Sequence, residues 1–395
     1  MPVHNVHNVH NVHNVHPPLT STPSVLYHNA TATPTAGLLL EASGRRQDLC
    51  PGHRDQVHSR IMQKFLVKHW FILAILGVLL LGVTLAPAVA SPMEQFPLRL
   101  MIILVMFFTA VSMPSSAITS ALRTPTPVLW ALLLGYSVVP GLALLAARTL
   151  FHHHTDLAVG LLIAGAVPCT LASAVIWTRL ARGQEAIALL VTLSSNLLCF
   201  VVTSAWVAGT TGTDVQLELG PMVRNMFVVI AFPVGLGQAL RRNQPASDLA
   251  DRWKTPIAVL NRCLILLVVL SAAVKAGERF RTTPLPMGLL LTLVATCLGI
   301  HLITWSLGWF SGRNLFRFSR EATIAVAFSG SQKTLPVGLF VASQYFPQLG
   351  LASLPILVYH VTQLVSDTWI AAALANHHQP IPVHEPLTAN QESGV

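Results

Sequence analysis

The residue with the most chemistry to offer is Lys333, which stands in the run Ser329-Gly330-Ser331-Gln332-Lys333-Thr334-Leu335-Pro336 within an apolar stretch. A lysine near the centre of a bilayer-spanning helix costs about 2.5–3.5 kcal/mol by insertion scales, so it calls for a compensating environment. Its ammonium could serve as a permanent counter-charge for an anion or as a group that exchanges a proton. The plainer reading is a structural lysine that hydrogen-bonds the carbonyls of an irregular helix. Around it, the hydroxyls of Ser329, Ser331 and Thr334 and the amide of Gln332 supply oxygen atoms. A second polar run lies at Gly165-Ala166-Val167-Pro168-Cys169-Thr170-Leu171-Ala172-Ser173, where Pro168, Thr170 and Ser173 are the candidate binding residues, with Thr192 in the next apolar block.

Near the C-terminus, Gln363 and Asp367 are four residues apart, which stacks them on one helix face. Asp367 is a candidate partner for Lys333. His360 belongs to a residue type that can relay protons around neutral pH, although a lone histidine also serves as a plain interhelical hydrogen bond. Ser194, Ser195 and Asn196 either face a cavity or bridge helices, and the sequence does not separate the two. Arg262 reads as a structural arginine with its stem along the membrane boundary. His152-His153-His154 read as loop residues. Paired carboxylates, a His-Glu-x-x-His run, a nucleophile elbow and a Walker motif are all missing from the chain, which argues against an enzyme and against a primary pump. No cofactor is expected.

The elements that must position these groups follow from composition. Of 395 residues, 53% are hydrophobic and 10% charged, against roughly a quarter charged in soluble chains. The apolar residues fall into blocks at 69–90, 98–122, 127–150, 157–180 and 186–209, then at 221–240, 256–276, 286–310, 323–344 and 351–375. Each block is near the ~20 residues a helix needs to cross a bilayer, and a spanning strand would be half that length. The expected fold is all-α with ten transmembrane helices.

The net charge of +9 could suggest nucleic acid, but its distribution reads as topology. With the N-terminus cytoplasmic, 16 of the 24 Lys and Arg fall on the inner side and 6 on the outer, leaving Arg262 and Lys333 within the membrane. This is the positive-inside bias. It predicts a multi-pass protein of a bacterial inner membrane, with the lipid bilayer as partner and no nucleic acid. The five cysteines show no paired spacing, so neither disulfides nor a zinc site is expected.

Residues 1–66 read as a disordered tail, with Val-His-Asn repeats over 3–16 and a Pro/Thr/Ser-rich stretch after them. Met62 could be the true start, because it opens directly into the first apolar block. That block is longer than the apolar region of a signal peptide, so it reads as an uncleaved helix. The transporter-like region is 67–375, and 376–395 form a polar tail.

Five blocks, a polar loop at 210–219 and five more blocks make two halves, 67–209 and 220–375, inverted relative to each other because five is odd. The Pro168 run and the Lys333 run both fall in the fourth block of their half. Proline deletes a helix hydrogen bond and clashes with the preceding turn, and Gly and Ser ease departure from helical geometry. Interrupted helices at matched places in inverted halves mark the midplane site of secondary transporters.

At these residues the chain resembles the bile acid:sodium symporter superfamily, solute carrier family 10, over roughly 62–375. The resemblance is carried by 106–128 with Ser-Met-Pro-Ser-Ser, by 165–188, and by Gly-Ser-Gln-Lys-Thr-Leu-Pro at 330–336. That last run and Tyr359-His360 are most similar to the branch around the seventh human member. The resemblance implies a panel domain and a core domain, with the two broken helices crossing in the core. It also implies a sodium site, whose Ser-Asn pair falls here on Ser173-Ala174 and whose Glu-x-Gly-x-Gln-Asn pattern falls on Phe328, Gly330, Gln332 and Lys333. The glutamate and both asparagines are therefore replaced. Hard cations want several oxygen ligands, and Ser173, Thr192, Ser329, Ser331, Gln332 and carbonyls are a thin set. The expectation is symport of a small organic anion by alternating access, with Na+ or H+ as coupling ion or Lys333 in the ion's stead. The other reading is a membrane-embedded regulatory protein that keeps the fold without ion-driven transport.

Overall fold

The computed structural model describes residues 70–71, 73–114, 125–211, 217–282 and 284–376. The sequence expectations for the tail at 1–66, the Met62 start and the end beyond 376 lie outside these residues. In chain order the helices are α1 (Leu73–Thr84), α2 (Ala86–Glu94), α3 (Leu98–Val111), α4 (Pro125–Thr149), α5 (Thr155–Ala166), α6 (Ser173–Leu180) and α7 (Glu185–Thr210). They continue with α8 (Leu219–Leu240), α9 (Gln244–Arg252), α10 (Lys254–Thr282), α11 (Met287–Leu315), α12 (Arg320–Ser331), α13 (Leu335–Tyr345) and α14 (Ser353–Asn376). No strand occurs among the described residues. Among the described residues six stretches are long and apolar enough to cross a membrane: α4, α7, α8, α10, α11 and the α12–α13 pair.

Local chemistry sets the helix ends that matter. α12 starts where the Ser319 hydroxyl accepts the Ala322 N–H at 3.1 Å, with Glu321 in the first turn against the positive end of the helix dipole. α5 stops at Ala166 because Pro168 disfavours helical geometry at the residue before it. Val167 is accordingly extended, with ψ 157°. The second break is shorter than the sequence suggests. Ser329 and Ser331 stay helical in α12, and the chain leaves the helix only at Gln332, with ψ 145°, to resume at Leu335. Gly165, likewise expected in the first break, is still within α5.

α8 packs on α7 on one side and on α3 on another. α3 lies on α8 and α10, and α2 lies on α10. α12 packs on α4, α6, α7 and α11, while α14 packs on α5, α6, α11 and α13. The apolar window of α12–α13 is entirely buried, whereas that of α11 is only 28% buried. The pair carrying the second break is thus the centre and α11 its lipid-facing wall. Lipid tails are as apolar as leucine, so such helices hold together by close approach and interhelical hydrogen bonds. Gly160 of α5 meets the Ala352 carbonyl so closely that no Cβ fits. A Cβ on Gly277 of α10 would lie 2.8 Å from the Val83 backbone.

Polar contacts close the end of α3. Gln238 of α8 donates to the Ala110 carbonyl at 2.6 Å, and Arg241 donates to Met113 O at 3.2 Å. These satisfy carbonyls that the C-terminus of α3 leaves open. Asn261 of α10 donates to Thr109 Oγ1 of α3 at 2.7 Å. Arg262 lies over the rings of Trp70 and Phe71, at 5.4 and 5.7 Å, which accounts for it as a cation–π contact.

Candidate functional site

The two breaks meet. The Thr334 N–H donates to the Pro168 carbonyl at 2.9 Å, a backbone bond between segments that each lack their own helical partner. Several other freed groups nearby are taken up by side chains, as buried backbone requires. From α7, Thr203 donates to Ala166 O at 2.8 Å and Asn196 to Cys169 O at 2.8 Å. Ser195 Oγ accepts the Cys169 N–H at 3.3 Å. Ser195 and Asn196, whose role the sequence left open, thus hold the first break in shape.

At the second break, Gln363 of α14 acts on both sides of one residue. Its Oε1 accepts the Lys333 N–H at 2.9 Å, and its Nε2 donates to Lys333 O at 2.8 Å. The same Nε2 lies 2.9 Å from His360 Nδ1. Tyr359 donates its hydroxyl to Ser331 O at 3.1 Å.

Lys333, 3% exposed, points toward the first half of the chain. Its Nζ donates to Val167 O at 3.0 Å and to Gly135 O, and it lies 5.5 Å from the centroid of the Tyr136 ring. The Gly135 carbonyl is free for a reason that the sequence contains. Residues Leu134–Val138 form a π-helical turn within α4, and the Val139 N–H bonds Leu134 O. The next donor in that register belongs to residue 140, a proline without an N–H. A carbonyl is left facing the interior, and the lysine fills it.

Asp367 has other partners than the expected one. Its Oδ1 is 2.9 Å from His301 Nε2 of α11, with both side chains fully buried. Its Oδ2 accepts from Gln332 Nε2 at 2.5 Å. No ion pair joins it to Lys333 among the described residues. Gln332 Oε1 in turn accepts from Ser173 Oγ at 2.9 Å, and Ser173 Oγ lies 3.1 Å from Thr170 Oγ1, whose hydroxyl can donate to it. A chain of contacts thus runs His301–Asp367–Gln332–Ser173–Thr170 across the crossing. His301 was not among the sequence candidates. Its signal is being the one His, Asp, Glu, Lys or Arg in the run 287–310, and its partner is 66 positions away.

The structure therefore brings together Pro168, Thr170, Ser173, Gln332, Lys333, Thr334, Gln363 and Asp367, with His360 at the margin beside Gln363. Thr192, Ser329 and Ser331 spend their hydroxyls inside their own helices, on the carbonyls of Leu189, Ala325 and Ala327. The Thr192 carbonyl still serves the site, because it accepts from Ser195 and Asn196. Between α4, α7 and the breaks lies a cavity of about 10 Å³, lined in part by Gly135, Tyr136, Pro168, Ser329, Gln332 and Lys333. That is about the space of one water molecule. Among the described residues there is no group of three or more His, Cys, Asp or Glu that could hold a metal ion.

Residues 69–376 match the model of the SBF-like CPA transporter family. Among individual proteins, the chain is similar to sodium/bile acid cotransporter 7 of Rattus norvegicus, 27% identical over 212 residues that cover 52% of this chain and 61% of the rat protein. It is similar to the corresponding protein of Danio rerio, at 26% identity over 52% of this chain and 62% of that protein. It is also similar to the probable sodium/metabolite cotransporter BASS4, chloroplastic, of Arabidopsis thaliana, 30% identical over 54% of this chain and 51% of the plant protein. The chain thus spans between about half and three-fifths of the length of these relatives. Apolar helices of membrane length and a match that runs through both broken segments agree: this is a multi-pass membrane protein that belongs to the SBF-like CPA transporter family.

Proposed function

We propose that this protein is a secondary transporter of a small organic anion, in which the ammonium of Lys333 stands where relatives that couple to sodium would hold the ion. The supporting observation is that Lys333 Nζ, buried at the crossing, donates to carbonyls of two other elements, Val167 O and Gly135 O. Inward-facing backbone carbonyls are what a hard cation would take as ligands, and here an ammonium takes them. Lys333 then acts as a fixed positive charge that sets the sign of the substrate, or as the group that binds and releases a proton in each cycle. Pro168, Thr170, Ser173, Thr192, Ser329, Ser331, Gln332, Thr334, His360, Gln363 and Asp367 form the surrounding ion and substrate region.

The architecture that goes with this reading is ten spans in two inverted five-helix repeats, 67–209 and 220–375, with the N-terminus cytoplasmic in a bacterial inner membrane. α2, α3, α8 and α10 pack as a panel. α4–α7 with α11–α14 pack as a core that rocks against the panel to give alternating access. The names of the relatives speak of sodium with bile acids or metabolites. Either Na+ or H+ is therefore worth testing as the coupling ion, alongside Lys333 itself.

A second reading, a membrane-embedded regulatory protein without ion-driven turnover, draws on the same crossing. Most of its polar side chains bond one another or backbone groups, and the space among them is about 10 Å³. Purified protein in liposomes separates the readings. Uptake of a carboxylate or sulfonate that follows an imposed Na+ or pH gradient, and that Lys333→Gln abolishes or renders pH-independent, supports transport with Lys333 at the ion position. Uptake unchanged by Lys333→Gln defeats the role given to the lysine. If no gradient drives uptake of any such anion, the regulatory reading prevails.

A further inference from the structure

A larger cavity, of about 390 Å³, lies away from the crossing, between the C-terminal part of α10 and the segment joining α13 to α14. Its volume is in the range of small-molecule sites. Lys275, Glu278 and Arg279 of α10 line it, at i, i+3 and i+4 and therefore on one helix face, with Ser343 and Ser353 among the residues opposite. Neither Lys275 nor Arg279 forms an ion pair among the described residues. The α13–α14 side of the lining carries no charge. Ser353 is 8% exposed, and its hydroxyl has no hydrogen-bond partner. It opens α14, whose N-terminal end carries partial positive charge. The stem of Arg279 rests on Gly350, where a Cβ would lie 3.2 Å from its Cγ, so the missing side chain seats the arginine at the cavity wall.

We infer that this cavity is a binding site for a small organic monoanion, with Lys275 and Arg279 as its charge contacts and the unpartnered Ser353 hydroxyl in the wall behind them. Two cations against one carboxylate leave a single net positive charge. That favours a carboxylate or sulfonate carrying one negative charge, and Glu278 repels a polyanion. The cavity lies where α10 meets α13 and α14. Binding here rests on the transporter reading only for its meaning, as a place where substrate is held before it reaches the crossing.

The test is protection of a cysteine placed in the cavity. Ser343→Cys, in protein with Cys50 and Cys263 changed to serine, is labelled in liposomes with a neutral methanethiosulfonate in the presence of benzoate, benzenesulfonate, neutral benzamide or trivalent citrate. Benzoate and benzenesulfonate should slow labelling where benzamide and citrate do not. Lys275→Gln and Arg279→Gln should each weaken that protection about tenfold, the worth of one hydrogen bond to a charged group, and Arg279→Lys should restore part of it. Both positions are exposed, and elution of each variant as an undamaged monodisperse species shows that it is folded. Protection by benzamide equal to that by benzoate, protection that survives the double Gln variant, or no protection by either monoanion overturns the site. Protection is an equilibrium reading. Failure of gradient-driven uptake would remove the transporter reading while leaving protection as measured.

Discussion

Lys333 and Gly135 are 198 positions apart in the chain and are joined because residue 140 is a proline. The π-helical turn gives the Val139 N–H to Leu134 O, and Pro140 has no hydrogen to give Gly135 O. The ammonium of the second break is the donor that reaches it. A backbone vacancy in one half of the protein is thereby matched to a side chain in the other.

Pro140→Ala should disturb the site without touching any residue at the crossing. It supplies an N–H that competes with Lys333 for Gly135 O and favours regular helix through α4. The expected result is a variant as stable as the parent or more so, with reduced anion uptake in liposomes. Unchanged uptake in a well-folded Pro140→Ala protein would show that the Gly135 contact is dispensable.

Lys333→Ala removes one donor from two buried carbonyls, and each unmet group costs about 1–3 kcal/mol. The melting temperature in detergent should fall for Lys333→Ala. It should fall less for Lys333→Gln, whose amide can still donate to one carbonyl. Melting curves of the three proteins side by side decide the order, and equal losses for both variants would contradict it.

Removal of the Asp367 carboxylate leaves His301 Nε2 and Gln332 Nε2 without their acceptor. Each buried donor left unmet costs about 1–3 kcal/mol, so Asp367→Ala should be clearly destabilised and Asp367→Asn less so. In a double-mutant cycle with His301→Ala the losses should be strongly non-additive, since neighbours of this kind couple by about 0.5–3 kcal/mol. Additive losses would mean that the 2.9 Å contact carries no energy.

Outside the membrane, the hydrogen bond from Arg241 holds the Asp251 carboxyl below its ordinary range. A carboxyl depressed on folding stabilises the protein above the unfolded value, near pH 3.9, and loses that contribution as pH falls through the folded one. The Asp251 side chain is 58% exposed, so the effect is small, under about 1 kcal/mol. Asp251→Asn should melt slightly below the parent at pH 6 and converge with it toward pH 3. Arg241→Ala should cost more at both, because the 3% exposed arginine also bonds Met113 O and Ser247 O.

Much of this site was legible in advance. Pro168 and the Gly-Ser-rich run before Pro336 announce two interruptions, and Lys333 announces itself by charge in an apolar stretch. The positions of the breaks were less legible. Ser329 and Ser331 can satisfy their hydroxyls on the preceding turn and stay helical, so the second break contracts to Gln332–Thr334. Pairing was least legible. Lys333 and Asp367 are opposite charges in neighbouring blocks, yet each has nearer partners in carbonyls, His301 and Gln332. Those choices depend on which groups the fold leaves open. Pro140 alone reads as an ordinary kink. Only with the register of the π turn does it reveal a carbonyl in need of a donor.

The clamp that Gln363 places on Lys333 has a consequence for how such sites change over time. Gln363 grips the peptide atoms on both sides of residue 333, and Thr334 N fixes the next residue to Pro168. None of these bonds involves the residue-333 side chain. The scaffold that presents position 333 is therefore written in other residues, and its occupant can be exchanged while the crossing stays assembled. A lysine here is a substitutable cartridge in a fixed socket. One family could in this way pass between coupling to a bound ion and carrying its own charge without rebuilding the fold.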